Sequence, residues 1–344
     1  MIPARATLSR RPSAHRDGAV LIVVLWVLIL LSLLVSSLAF EMHVEATITS
    51  YYRKRLKSQY LARAGIEWAK MILSRAGTLS EDMEEDYPDL YLGSMQLNRG
   101  NPVTGLYRAV TEDGGFTLDL VPEQGRRNIN QLTDDDWREL LDLGQVSQDL
   151  WDELIDTYFD WVDADDVHRL SGAESDDEFY EDQNYEVKNA PLDTIDELLL
   201  IKGFTPGIVY GGPGEEEDDP PLLGIAQWLT TWGNGRVNVN TATPDVLLTL
   251  PDMDEFMVEA ILEGRAGIDG EFGTEDDGFS NVQEVMDVTG LDPRLAGRLS
   301  TQDRQYIRIT SVGEYLGVKS GIWCIFRQDG SGLVPMYWRE EQML

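Results

Sequence analysis

The chain has 344 residues, 42% of them hydrophobic, and 61 acidic against 28 basic side chains give it a formal net charge of −33. That balance repels nucleic acid phosphates and attracts divalent cations, and a single cysteine, Cys324, excludes an internal disulfide. The length suffices for two folded domains.

A leader carrying Arg5, Arg10, Arg11 and Arg16 ends at Gly18, and 22 uncharged residues follow, Ala19 to Phe40. This run exceeds the roughly 20 residues a helix needs to cross about 30 Å of hydrocarbon. A secretory signal would have a shorter apolar stretch and a small-residue cleavage site. No Gly or Pro occurs between Gly18 and Gly65, so the spacing predicts one helix to about Ser74, a rod of roughly 85 Å at ~1.5 Å per residue. Its far half keeps an apolar stripe at Leu61, Ala62, Gly65, Ile66, Trp68, Ala69, Ile72 and Leu73, which predicts packing on a domain. Arg53, Lys54, Arg55 and Lys57 after the span balance the arginines before it, so loop charge leaves the orientation open.

The basic leader closed by Gly18 resembles one cut by prepilin peptidase between Gly18 and Ala19. The segments GAVLIVVLWVLILLSLL (18 to 34) and QYLARAGIEWA (59 to 69) then resemble the start of the minor pseudopilin K family of the type II, or general, secretion system. Most pilin-like proteins carry Glu at the fifth mature position, where this chain has Val23. In those proteins the carboxylate is thought to neutralise a neighbour's N-terminal ammonium, because an unpaired charge in lipid is costly. K subunits characteristically lack it, as a subunit at a filament tip has none ahead of it.

Residues 77–105 are polar and turn-rich and read as a loop. Alternating runs at Leu106 to Thr111 and Phe116 to Leu120, around Glu-Asp-Gly-Gly, predict a hairpin. Strand character returns only at Tyr306 to Val312, Gly321 to Arg327 and Leu333 to Trp338. The expected fold class is therefore α+β. A spine helix (19–76) follows the leader (1–18), and a small pilin-like antiparallel sheet domain (77–126 and 303–344) is interrupted by a large helical insertion (127–302). The K family has this arrangement. Within the insertion, Thr133 and Asp136 approximate a capping box, Gly144 sits at a C-cap, Ser147 starts a helix, and Thr243 caps another opened by Pro244.

The segment DWVDADDVHRLSGAESDDEFY, Asp160 to Tyr180, carries the strongest chemical signal. Asp163, Asp165, Glu174, Asp176 and Asp177 around Gly172 offer oxygens suited to a hard cation taking about 6 to 8 ligands, whereas zinc would want the His and Cys that are scarce here. The spacing is not an EF-hand, and by itself it leaves a calcium site and a solvated acidic loop both open. The resemblance implies calcium, since K pseudopilins match this D-W-x-D-x-D and G-A-E pattern. A second loop, GIDGEFGTEDDG (267 to 278), presents Asp269, Glu271, Glu275, Asp276 and Asp277 as a weaker calcium candidate beside a solvated loop. GGPGEEEDDPP (211 to 221) reads as a linker.

NVNTATPDVLLTLPDMDEFMVEAILEGR (238 to 265) resembles a helix-hairpin-helix unit, with echoes at 189–209 and 128–144. Such units can hold DNA phosphate, but the hairpin position is Asp252, followed by Asp254 and Glu255, so nucleic acid is excluded as a partner. No catalysis is expected: His15, His43 and His168 are scattered, and no phosphate-binding Gly-rich loop occurs. Cys324 reads as a core residue. The resemblance implies a non-enzymatic pseudopilus-tip subunit anchored in the inner membrane, with periplasmic domains. The implied partners are the I and J minor pseudopilins, other pseudopilins and prepilin peptidase. A K-like minor pilin of a type IV pilus or competence system, or a single-span ligand-binding ectodomain, are the alternatives.

Overall fold

The computed structural model describes residues 17–75, 87–98, 100–214, 220–270, 274, 276–302, 305–329 and 332–342. The leader ahead of residue 17, the acidic run 215–219, Glu271 and Glu275 lie outside them. The chain divides after Lys57 into two units, and helix α1 (Asp17–Arg75) contributes to both. In the first unit the apolar part of α1 is long enough to cross a membrane. Its large side chains are all exposed, Val23 at 61% among them.

In the second unit α1 is followed by α2 (Pro88–Asn98), β1 (Val103–Thr111) and β2 (Gly114–Pro122). The insertion comprises β3 (Arg127–Asn128), α3 (Asp134–Leu143), α4 (Trp151–Val162), α5 (Glu178–Glu181), α6 (Pro206–Tyr210), β4 (Leu229–Thr230), β5 (Val237–Asn238), α7 (Pro244–Leu248), α8 (Glu255–Arg265), α9 (Val282–Thr289) and β6 (Leu299–Ser300). The chain closes with β7 (Tyr306–Tyr315), β8 (Val318–Asp329) and β9 (Gly332–Gln342).

The five long strands form one antiparallel sheet in the order β1-β2-β7-β8-β9. β2 meets β7 across the insertion, with Leu120 opposite Ile309. Strand alternation sends Phe116, Leu118, Leu120, Ile307, Ile309, Ile322, Cys324 and Phe326 to one face, where Ala62, Ile66, Ala69, Ile72 and Leu73 of α1 cover them. Glycine lets backbone touch backbone there: a Cβ on Gly313 would lie 2.1 Å from the Ser58 carbonyl oxygen, and one on Gly65 would lie 2.1 Å from Ser311 Oγ. Cys324 is fully buried, and burial pushes its thiol up to about 12.

Residues 88–98 correct the loop reading of 77–105. Pro88 opens α2, which buries Leu90, Met95 and Leu97, while Ser94 Oγ donates to the Ile72 carbonyl. A Cβ on Gly93 would stand 3.3 Å from Ile72 Cδ1. Packing against α1 stabilises a helix that the local Gly, Ser and Asp content disfavours.

The insertion has its own core, around Trp137, Leu141, Tyr158, Trp228, Leu247 and Ile261. It is built from a recurrent helix-hairpin-helix step. Gln145, Gly203, Asp252 and Gly290 all take positive φ (62°, 88°, 61° and 69°). Each is followed by a buried apolar residue, Val146, Phe204, Met253 or Leu291, and then by the residue that opens the next helical turn: Ser147, Thr205, Asp254 or Asp292. Asp252 therefore takes the conformation glycine adopts most cheaply. The fourth step, at Gly290, escaped the sequence reading, and at Gly144 the left-handed residue is the following Gln145.

Two segments start alike, Arg127-Asn128-Ile129-Asn130 and Val237-Asn238-Val239-Asn240, each opening with a two-residue strand that pairs in parallel with a late one, β3 with β4 and β5 with β6. The capping box of Thr133 and Asp136 forms, and Thr243 caps α7 through the Val246 amide. At matching places the first copy buries the ion pair Arg127–Asp136 (2.5 Å), and the second buries Val237 and Val246.

Candidate metal centre

Helix α4 ends at Val162, and its last turn places Asp160 and Asp163 at the mouth of the acidic loop. Asp160 is fully buried and accepts from the Arg169 amide at 3.1 and 3.2 Å, which folds the loop back on the helix. Gly172 passes so close that a Cβ would sit 1.9 Å from Asp160 Oδ2. Only glycine fits there, which accounts for the G-A-E step that delivers Glu174.

Glu174 is 1% exposed, and neither carboxylate oxygen has a hydrogen-bond partner. Asp163 Oδ1 and Asn189 Oδ1 are likewise buried and unpartnered, while the Asn189 amide donates to Asp166 Oδ1 at 3.1 Å. Burial first, then the charges of Asp160, Asp163 and Asp166, push Glu174 up to about 7. Burial also raises Asp160 and Asp163. Buried oxygens without donors cost free energy on the order of 1–3 kcal/mol each, more when charged.

The other sequence candidates are engaged elsewhere. Asp165 Oδ1 accepts from the Val167 amide at 3.0 Å. Asp176 pairs with His168 at 2.6 Å on the surface and raises the His168 pKa. Asp177 caps α5 through the Phe179 amide and is bridged to Lys202 at 2.9 Å, contacts that hold it below the usual carboxylate range. The structure thus gathers Asp163 and Glu174 of the expected five and adds Asp160, Asp166 and Asn189. The Asp160–Asp163 step, one helical turn apart, was the legible signal for the first of these. Among the described residues no three His, Cys, Asp or Glu side chains stand close enough together to grip an ion as placed.

In the second loop Asp276 Oδ2 accepts from the Ile268 amide at 2.6 Å and its Oδ1 from Thr274 at 2.9 Å, so it locks the turn at Gly267. Asp277 is 3% exposed and accepts from Thr274 and Gln96 at 3.4 Å. Asp269 donates its amide to Asp276. Among the described residues of this loop, Asp276 and Asp277 accept from donors of the loop itself and from Gln96.

Residues 116–210 match the family described as Type II secretion system (T2SS), protein K. No curated protein matches the chain by sequence. Among solved structures it resembles a chain of the GspK-GspI-GspJ complex from enterotoxigenic Escherichia coli Type 2 Secretion System, at 15% identity and a TM-score of 0.57, over 87% of this chain and 100% of that one. At that identity the likeness establishes the fold, an α+β pilin-like domain with a helical insertion.

Proposed function

We propose that this chain, a member of the protein K family of type II secretion by residues 116–210 and by fold, is a minor pseudopilin that assembles with I and J minor pseudopilins at the tip of a pseudopilus. There it starts assembly and supports protein export across the outer membrane. The observation that carries this reading is the shared fold with a protein from the GspK-GspI-GspJ complex, combined with an N-terminal helix whose apolar side chains from Val20 to Phe40 are exposed. Such a surface calls for lipid or other helices. Val23 in place of an acid leaves no carboxylate for a subunit ahead, which suits a terminal position. The chain acts by binding rather than by catalysis, with its N-terminus cytoplasmic before processing and its folded part periplasmic.

The acidic loop holds calcium in this reading. Glu174, Asp163 and Asn189 supply the unpartnered buried oxygens, with Asp160 and Asp166 adding charge. The donor set fits a hard cation and offers no soft ligand. A bound ion would draw together carboxylates that otherwise repel, fixing the loop on α4.

The test is co-purification of the full-length chain from membranes with I and J minor pseudopilins, together with N-terminal sequencing. A mature terminus at Ala19 and a three-protein complex are the expected results. A chain beginning at Met1, or one that captures neither partner, refutes the proposal. Replacement of Gly18 should leave an unprocessed precursor.

A further inference from the structure

In a molecule of net charge −33, the described residues form a recess of the opposite sign. Between the start of the first helix-hairpin-helix step and the end of the last lies a cavity of about 280 Å³, lined by Arg127, Arg236 and Arg298 with one acid, Asp136. Its neutral lining includes Gln131 and Asn234.

The charges do not cancel. Asp136 Oδ1 accepts from Arg127 Nη2 at 2.5 Å and from Arg298 Nη1 at 2.6 Å, while its Oδ2 accepts from the Thr133 amide at 2.9 Å and hydroxyl at 2.7 Å. Its acceptor capacity is taken up by these four donors. Arg127 is buried and spends Nη1 on the Thr249 carbonyl and hydroxyl. Burial and the neighbouring Arg298 charge both work to lower its pKa, against the pull of Asp136. Arg298 lines the recess with one N–H spent on Asp136, and its side chain is 39% exposed.

Arg236 is the third cation. Its amide is held by Asn234 Oδ1 at 3.0 Å, in a turn where Gly235 takes φ 83° and packs on Gln131. Its guanidinium has no acidic partner among the described residues, although 61 carboxylates are available to the chain. Gly297 also lines the recess, and a Cβ added there would meet nothing within 4 Å. Three arginines against one aspartate leave the recess with surplus positive charge, and guanidinium forks recognise tetrahedral oxyanions through paired N–H donors.

We propose that this recess is an anion site that binds a phosphate-class oxyanion, held between Arg236 and Arg298 with Arg127 and Asp136 as the rigid floor. The group can come as free phosphate or as the phosphodiester of a lipid headgroup. The site is independent of the assembly reading, because no residue in it belongs to α1 or the five-stranded sheet.

The experiment is isothermal calorimetry on the full-length chain in nonionic detergent at constant ionic strength, with inorganic phosphate, sulfate and glycerophosphoglycerol as probes. Glycerophosphoglycerol is the deacylated form of a phosphodiester headgroup. One saturable site is expected, weakened about ten-fold or more, or ~1.4 kcal/mol, by Arg236→Gln and by Arg298→Gln. It should be unaffected by Arg294→Gln, a side chain 88% exposed and paired with Asp292. Tighter binding of inorganic phosphate supports the free ion as the source, and tighter binding of the diester supports a headgroup. Arg236→Gln removes no hydrogen bond of the fold, so it should melt as the parent does. Absence of saturable binding by all three probes, or unchanged binding by both variants, overturns the proposal.

Discussion

Replacing Glu174 by Gln separates the two faces of the acidic loop, its cost to the fold and its use for a cation. Glu174 is 1% exposed with both oxygens unpartnered, and burial together with Asp160, Asp163 and Asp166 lifts it from 4.5 to about 7, against a smaller opposing pull from His168. The metal-free fold therefore holds this proton more tightly than the unfolded chain does. Its stability is undiminished below pH 4.5, falls as pH rises through the window from 4.5 to about 7, and bears the whole penalty above that. At ~1.4 kcal/mol per unit the penalty is about 3 kcal/mol. The isosteric amide carries no charge, so at pH 8 in chelator the variant should exceed the parent by up to about 3 kcal/mol, roughly 6–12 °C in melting temperature for a domain of this size. Calcium should reverse the ranking: the parent rises by mass action, and the variant, short of its central carboxylate, barely moves. Scanning calorimetry of the full-length chain in detergent, at pH 5 and pH 8, with calcium or with chelator, reads all of this. A Gln variant that is less stable in chelator at pH 8 and still gains the parent's calcium increment would refute the reasoning.

Gly172→Ala would drive a methyl into Asp160 Oδ2, 1.9 Å away. It should cost roughly 1–3 kcal/mol by overpacking and weaken calcium binding, seen as a smaller calcium-induced rise in melting temperature. Asp136→Val should destabilise by about 3–5 kcal/mol, since it strands the buried Arg127 charge, and Arg127→Val should cost less, since Arg298 and Thr133 still hold Asp136, while the double variant should recover part of the loss by approaching the Val237–Val246 arrangement of the second copy. Chemical denaturation of the three variants gives the coupling energy. Gly313→Val should block the approach of α1 to β7, where only 2.1 Å separates the Ser58 carbonyl from a Cβ. Loss of the cooperative melting transition is the expected readout, at a cost of about 3 kcal/mol or more.

The long strands and α1 were legible because their patterns are redundant: alternation at Phe116, Leu118 and Leu120, and a stripe from Leu61 to Leu73, agree with propensity. Helix α2 was not, because its stability comes from a partner. Gly93 and Ser94 read as turn residues in isolation and become helix only when Ile72 of α1 lies beside them. The hairpins were partly legible. Gly203 announces a left-handed residue, the step at Gly290 went unread despite its glycine, and Gln145 and Asp252 adopt the same conformation without the glycine that would signal it. Four such steps in succession make the insertion a series of short helices in one core rather than a bundle of long ones.

The acidic loop shows how the fold distinguishes residues that composition leaves equivalent. Asp163, Asp165, Glu174, Asp176 and Asp177 are equivalent as sequence, each an oxygen donor within one stretch. The fold divides them by whether a donor meets the carboxylate: the Val167 amide, His168, and Lys202 with the Phe179 amide engage three of them. What distinguishes Glu174 is the lack of any donor in a buried place, a property of its surroundings and not of its spacing. A chain with so many carboxylates can satisfy most of them at its surface, so the few that are buried without donors are the informative ones. If a cation were irrelevant to this loop, exchanging Glu174 for a neutral side chain would be a stabilising change above neutral pH. On the proposed calcium reading, a cation that favours the charged form offsets that cost, and the calorimetric comparison with and without calcium decides it.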